Sequence, residues 1–186
     1  INMTGVFSVR KAAWPIMVEQ QYVRCVFTAS PAIYGAGVAA YAASKAGVIG
    51  LSNSLQFEAR KLKLVIKCNV IIPQANTRMV QDLNSNISAS RVAKGKSELK
   101  SAPPEVLDRM GPEKDSAIVA WLCHSECQSD AKILEASAGY FAQLNWARSA
   151  PLFATEKERV EGSPLPEHIR DGQDTLHDYA TGDMPR

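Results

Sequence analysis

Tyr41-Ala-Ala-Ser-Lys45 sets a phenol and an ammonium four residues apart. On a helix of 3.6 residues per turn those positions stack on one face, so the two side chains can meet. A free tyrosine ionises near pH 10 and is a poor base at neutral pH, and a fixed cation beside it favours the phenolate. Such a pair can exchange a proton with an alcohol or a carbonyl oxygen. The bare spacing is a weak signal, because a surface tyrosine lying along a lysine stem produces the same pattern. Its meaning depends on the elements around it.

Upstream, residues 23–28 (Val-Arg-Cys-Val-Phe-Thr) read as a short buried strand, and residues 29–37, which include Ser30, as a loop. Downstream, residues 64–72 read as a second strand that ends at Pro73. The Tyr41 helix is then a crossover between two parallel strands. Ligands of such sheets bind beyond the carboxyl ends of the strands, where the Ser30 and Pro73 loops both fall. Residues 4–20 read as a helix bent at Pro15, where a backbone donor is lost. Residues 116–123 read as a core-facing helix after the Gly111-Pro112 break, and a short strand near 132–136 closes the sheet. Trp14, Phe57 and Trp121 are assigned to the core or to helix interfaces.

The 186 residues, 46% hydrophobic, suffice for one core and fall short of two full domains. A net charge of +2 argues for neither nucleic acid nor membrane binding. No apolar run is long enough for a membrane span, and no secretory signal leads the chain. Cys25, Cys68, Cys123 and Cys127 read as reduced, packed thiols. Cys123-His-Ser-Glu-Cys127 lacks a second ligand pair, so no metal site is expected. His168 and His177 have no evident partner, and the terminal Met184-Pro-Arg186 is not a Ser-Lys-Leu peroxisomal address.

Asn2-Met-Thr-Gly-Val-Phe7, Phe27-Thr-Ala-Ser30, Tyr41-Ala-Ala-Ser-Lys45 and Asn69-Val-Ile-Ile-Pro73 together resemble the short-chain dehydrogenase/reductase family. Ala12-Ala-Trp-Pro15, Ile33-Tyr-Gly35, Ser101-Ala-Pro-Pro-Glu105 and Ala138-Gly-Tyr-Phe141 are similar to its multifunctional-enzyme branch, which oxidises (3R)-3-hydroxyacyl-CoA. The resemblance implies an NAD(P)-dependent oxidoreductase. Tyr41 would take the substrate's hydroxyl proton, Lys45 would hold the nicotinamide ribose, Ser30 would bind the substrate oxygen, and Asn2 would hold a water linking Lys45 to solvent. Pro73 and Thr77 would line the cofactor loop together with Tyr41 and Lys45. NAD is the implied cofactor, with NADP left open. A homodimer through the Asn2 and Tyr41 helices and a peroxisomal location, otherwise cytoplasmic, are also implied. The substrate class is an acyl-CoA or another secondary alcohol or ketone, a steroid included.

The departures from the family pattern are specific. No glycine-rich turn opens a helix after a strand, and Gly35-Ala-Gly37 stands in a different loop. The expected fold is therefore α/β: a partial doubly wound, Rossmann-like parallel sheet that lacks its first strands and glycine-rich turn. Residues 1–150 form the carboxyl-terminal part of the dehydrogenase domain, and 151–186 a polar extension that is partly helical. The strand at Val23 would keep a free edge. Ser30 precedes Tyr41 by eleven positions where the family uses about thirteen, so Thr28 remains an alternative for the oxygen contact. Gln74 replaces the usual glycine after the loop proline. Residues 82–100 read as an inserted polar loop, or as a lid bringing Arg91, Lys94, Lys96 and Lys100 near CoA phosphates. The alternative to an enzyme is a non-catalytic remnant or dimerisation module that binds no dinucleotide.

Overall fold

The computed structural model describes residues 1–35, 38–98, 102–156 and 166–177. Gly37, Lys100, Ser101, Met184-Pro-Arg186 and the His168 side chain lie outside the described residues. The chain divides into two compact units, 1–144 and 145–186.

The first unit is built around a four-stranded sheet in the order β1 (Tyr22–Thr28), β2 (Val65–Gln74), β3 (Ile133–Ser137), β4 (Tyr140–Leu144). The first three strands are parallel, and β4 is antiparallel to β3. Helix α1 (Thr4–Gln20) precedes β1, and α2 (Ala39–Lys61) crosses from β1 to β2. Between β2 and β3 come α3 (Arg78–Ala93), α4 (Pro104–Asp108) and α5 (Pro112–Cys123). In the second unit, the described helices are α6 (Pro166–Asp171) and α7 (Gln173–His177).

Residues Val48, Ile49, Ser52, Leu55, Gln56 and Ala59 recur at three- and four-residue intervals and form the buried stripe of α2. Ile49 packs with Val70, Ile72 and Ile133, while Leu55 and Ala59 pack with Ile66 and Cys68. The opposite face of the sheet meets α5, where Ile71 packs on Leu122 and Cys127 with Val26 beside them. β2 is thus covered on both faces, which explains its near-continuous apolar run. Each fully buried aliphatic side chain contributes about 2 kcal/mol. Where β3 has not yet begun, Gln56 substitutes for a strand. Its Oε1 accepts from the Cys68 N–H at 2.6 Å, and its Nε2 donates to the Ile66 carbonyl at 3.1 Å.

The fold departs from the sequence reading in several places. β2 does not stop at Pro73 but runs through it to Gln74, with Pro73 opposite Ala136. Ala29 N–H bonds to the Ile71 carbonyl, and backbone groups two residues on point to the same side. The donor that Pro73 lacks would therefore face the β1 side, where β1 has ended, so no ladder bond is lost. Nor does β3 close the sheet, because β4 pairs beyond it. Their two-residue link, Ala138-Gly139, has φ of 49° and 84°, the hand that matches a tight hairpin.

The largest correction concerns residues 82–100, which are helical through Ala93 rather than a loop. No glycine or proline falls between Arg78 and Ala93. The Thr77 side chain caps the start by accepting from the Val80 N–H, and Gly95, at φ 70°, follows the end. Finally, Phe57 and Trp121 are not core residues, being 71% and 48% exposed, and only Trp14 among the three is half-buried. Trp14 donates to Glu58, which also pairs with Arg10.

Candidate functional site

Helix α2 runs back across the sheet, so its first turn, which holds Tyr41, sits at the carboxyl ends of β1 and β2. Tyr41 and Lys45 share one face as their spacing requires, with the Lys45 amine 5.7 Å from the centre of the Tyr41 ring. Both are half-buried. Lys45 Nζ donates to the Thr28 carbonyl at 2.8 Å, which fixes the ammonium at the last residue of β1. Two of its three N–H bonds stay available for other acceptors. The Tyr41 hydroxyl makes no hydrogen bond among the described residues.

Ser30 begins the loop beyond β1. Its Oγ accepts from the Ala32 N–H at 3.2 Å and caps a 3-10 turn over Pro31–Tyr34, leaving its own O–H free to donate. Thr28 stands differently. In β1, Val23, Cys25 and Phe27 face the α1 and α2 side, while Val26 faces α5. Alternation therefore turns the Thr28 side chain toward α5, away from Tyr41, and leaves its carbonyl to Lys45.

Asn2 does not lie in a helix as expected but in the turn before α1. It is exposed, and no hydrogen bond joins it to Lys45. Pro73 is half-buried near the end of β2, and Thr77 is half-buried as the cap of α3. The Thr77 hydroxyl oxygen accepts from Val80, and its proton is left for an outside acceptor.

Two recesses flank these residues. One, about 450 Å³, lies past the end of β2 between α3 and α4, with Asn76, Gln81, Ser85, Leu107 and Met110 among its walls. The Asn76 N–H to Met110 carbonyl bond, 2.7 Å, ties its floor. The other, about 550 Å³, is a mainly apolar cleft between α1 and β1 reached by Val9, Trp14, Met17, Phe27 and Lys45. Both volumes fall in the range that small ligands occupy. Among the described residues no cluster could hold a metal ion, and no helix is long and apolar enough to cross a membrane.

One contact had no signal in the sequence. Tyr34, in the loop after Ser30, donates to Glu135 of β3, 101 positions away. Burial and the carboxylate together push the Tyr34 phenol up to about 12.

Residues 1–88 match the short chain dehydrogenase family. Over 189 aligned residues the chain is 31% identical to peroxisomal multifunctional enzyme type 2 of Mus musculus, covering all of this chain and 22% of that protein. It is 35% identical over 152 residues to the peroxisomal hydratase-dehydrogenase-epimerase of Saccharomyces cerevisiae, covering 81% of this chain and 15% of that protein. Among solved structures, full-length peroxisomal multifunctional enzyme type 2 from Drosophila melanogaster superposes with a TM-score of 0.76 at 25% identity, over all of this chain and 30% of that one. The chain therefore spans less than a quarter of the length of the two curated relatives. The parallel sheet with its Tyr-Lys crossover helix is thus similar to the short chain dehydrogenases, by the family match over residues 1–88 and by sequence and fold likeness to these relatives along the rest of the chain.

Proposed function

We propose that the chain carries the proton-transfer half of an oxidoreductase site that oxidises a secondary alcohol to a ketone, most specifically a (3R)-3-hydroxyacyl-CoA. The observation that carries this reading is the Tyr41–Lys45 pair, held at the carboxyl ends of β1 and β2 by the Lys45 bond to Thr28.

The donor set suits a nicotinamide dinucleotide. Lys45 has two unspent N–H bonds for ribose hydroxyls, and Thr77 has an O–H for a carboxamide. When bound, that cofactor would supply the hydride acceptor for the alcohol carbon. Tyr41 takes the hydroxyl proton, and the Lys45 charge, 5.7 Å from the ring centre, favours the phenolate that accepts it. Ser30 donates to the substrate oxygen and holds it for transfer. NAD is favoured over NADP by the family resemblance alone, and a peroxisomal setting over a cytoplasmic one by the peroxisomal relatives.

A second reading, a dimerisation module without turnover, is favoured by apolar side chains that α1 and α2 leave exposed: Val9, Ile16 and Phe57. A homodimer through these helices is compatible with either reading. Titrating the purified chain with NADH and following the cofactor's fluorescence separates them. Saturable binding that Lys45→Met weakens at least tenfold supports the oxidoreductase. Dimeric chain with no saturable binding at millimolar NADH leaves the module.

A further inference from the structure

Cys25 in β1 and Cys68 in β2 are register partners, in a pairing that runs from Tyr22 with Val65 to Thr28 with Ile71. Both side chains fall on the α2 face of the sheet, in one cluster with Leu55 and Ile66. Adjacent strands lie about 4.8 Å apart, inside the Cα separation of about 4.4 to 6.8 Å that a disulfide spans. The other two cysteines are placed differently: Cys127 is buried on the α5 face, and Cys123 is exposed at the end of α5. Cys68 is fully buried, whereas Cys25 is half-buried and forms part of the wall of the 550 Å³ cleft, so a small oxidant reaches Cys25 first.

We propose that Cys25 and Cys68 form a thiol–disulfide site, which hydrogen peroxide converts to an intramolecular bond between neighbouring strands. The Cys25 sulfur attacks one peroxide oxygen, the O–O bond breaks, and the departing hydroxide takes the thiol proton to leave as water. Cys25 is then a sulfenic acid. The Cys68 sulfur attacks the Cys25 sulfur, the S–O bond breaks, and the second hydroxide leaves with the Cys68 proton as water. Two thiols are oxidised and one peroxide is reduced to two waters. The division of labour agrees with the surroundings. Hydrogen bonding from Cys68 brings Cys25 below the ordinary thiol range, and Cys25 together with burial pushes Cys68 up. The bond would lie three residues from Thr28, the anchor of Lys45.

The test uses the full 186-residue chain carrying Cys123→Ser, which removes the exposed thiol. After peroxide treatment, alkylation and mass spectrometry, free thiols fall from three to one, the mass drops by two hydrogens, and a Cys25–Cys68 linked peptide appears that dithiothreitol reverses. Adding Cys25→Ser abolishes the loss. An unchanged thiol count, oxygen added to Cys25 without a link, or a link to Cys127 overturns the proposal. If Cys25→Ser fails to fold by circular dichroism, the peptide map of the parent decides alone.

Discussion

Lys45 and Thr28 are joined at 2.8 Å by a bond from an ammonium to a backbone carbonyl, so the charge of α2 is tethered to the end of β1 rather than left to swing in solvent. Replacing Lys45 with Met removes both the tether and the cation. The expected stability loss is about 1 kcal/mol, since the site is half-exposed, and NADH affinity falls at least tenfold. Thermal melts and fluorescence titration measure the two effects separately.

Tyr41→Phe should behave in the opposite way. The hydroxyl has no partner among the described residues, so melting is expected to shift by less than about 0.5 kcal/mol. Alcohol oxidation, in contrast, falls by about 10² to 10⁴, the usual contribution of a positioned acid or base. A large stability loss with intact turnover would remove Tyr41 from the chemistry.

Ser30 and Thr28 can be told apart by single substitutions. Ser30→Ala loses the cap on the Ala32 N–H and the donor to substrate, so kcat/KM drops about 10²-fold. Thr28→Val keeps the carbonyl that holds Lys45 and alters only a side chain on the α5 face, so kcat/KM stays within about threefold. The reverse pattern would move the oxygen-binding role to Thr28.

Desolvation and Glu135 both favour the neutral Tyr34 phenol and push it up to about 12 from its ordinary value near 10. With the folded value raised, this contact's stabilisation is complete below pH 10. It declines as pH rises through the interval to about 12, where phenolate would face carboxylate. Phenolate absorbance across that range should show a transition near 12, which Glu135→Gln returns toward 10. No shift in the variant would rule out Glu135 as a cause.

Much of this arrangement is legible in the chain. The Tyr41–Lys45 spacing foretells a shared helix face, and the apolar run around Val70 foretells a strand covered on both faces. The run around Cys25, read as a buried strand, instead forms a strand with no buried residue, because it stands at the edge of the sheet. Other features escape for physical reasons. Residues 82–100 are polar enough to read as loop, yet a Thr77 cap and a run free of glycine and proline from Arg78 to Ala93 suffice for a helix that buries none of its residues. The turn at Ala138-Gly139 lacks the asparagine or aspartate that usually announces a tight hairpin, so β4 goes unseen. Pro73 reads as a strand terminator, but its tolerance depends on where β1 ends, which no local pattern encodes. Contacts such as Tyr34 with Glu135 belong to topology, since they arise only after the sheet has formed.

The continuity of α3 has a mechanical result. Sixteen residues at 1.5 Å each make a rod about 24 Å long, rooted at Thr77 beside the end of β2. A tilt of about 10° at that root carries the Arg91 and Lys94 end through about 4 Å, in one piece. The wall it gives the 450 Å³ recess is therefore a single rigid piece, so that any shift of its root residues would be carried to its far charges.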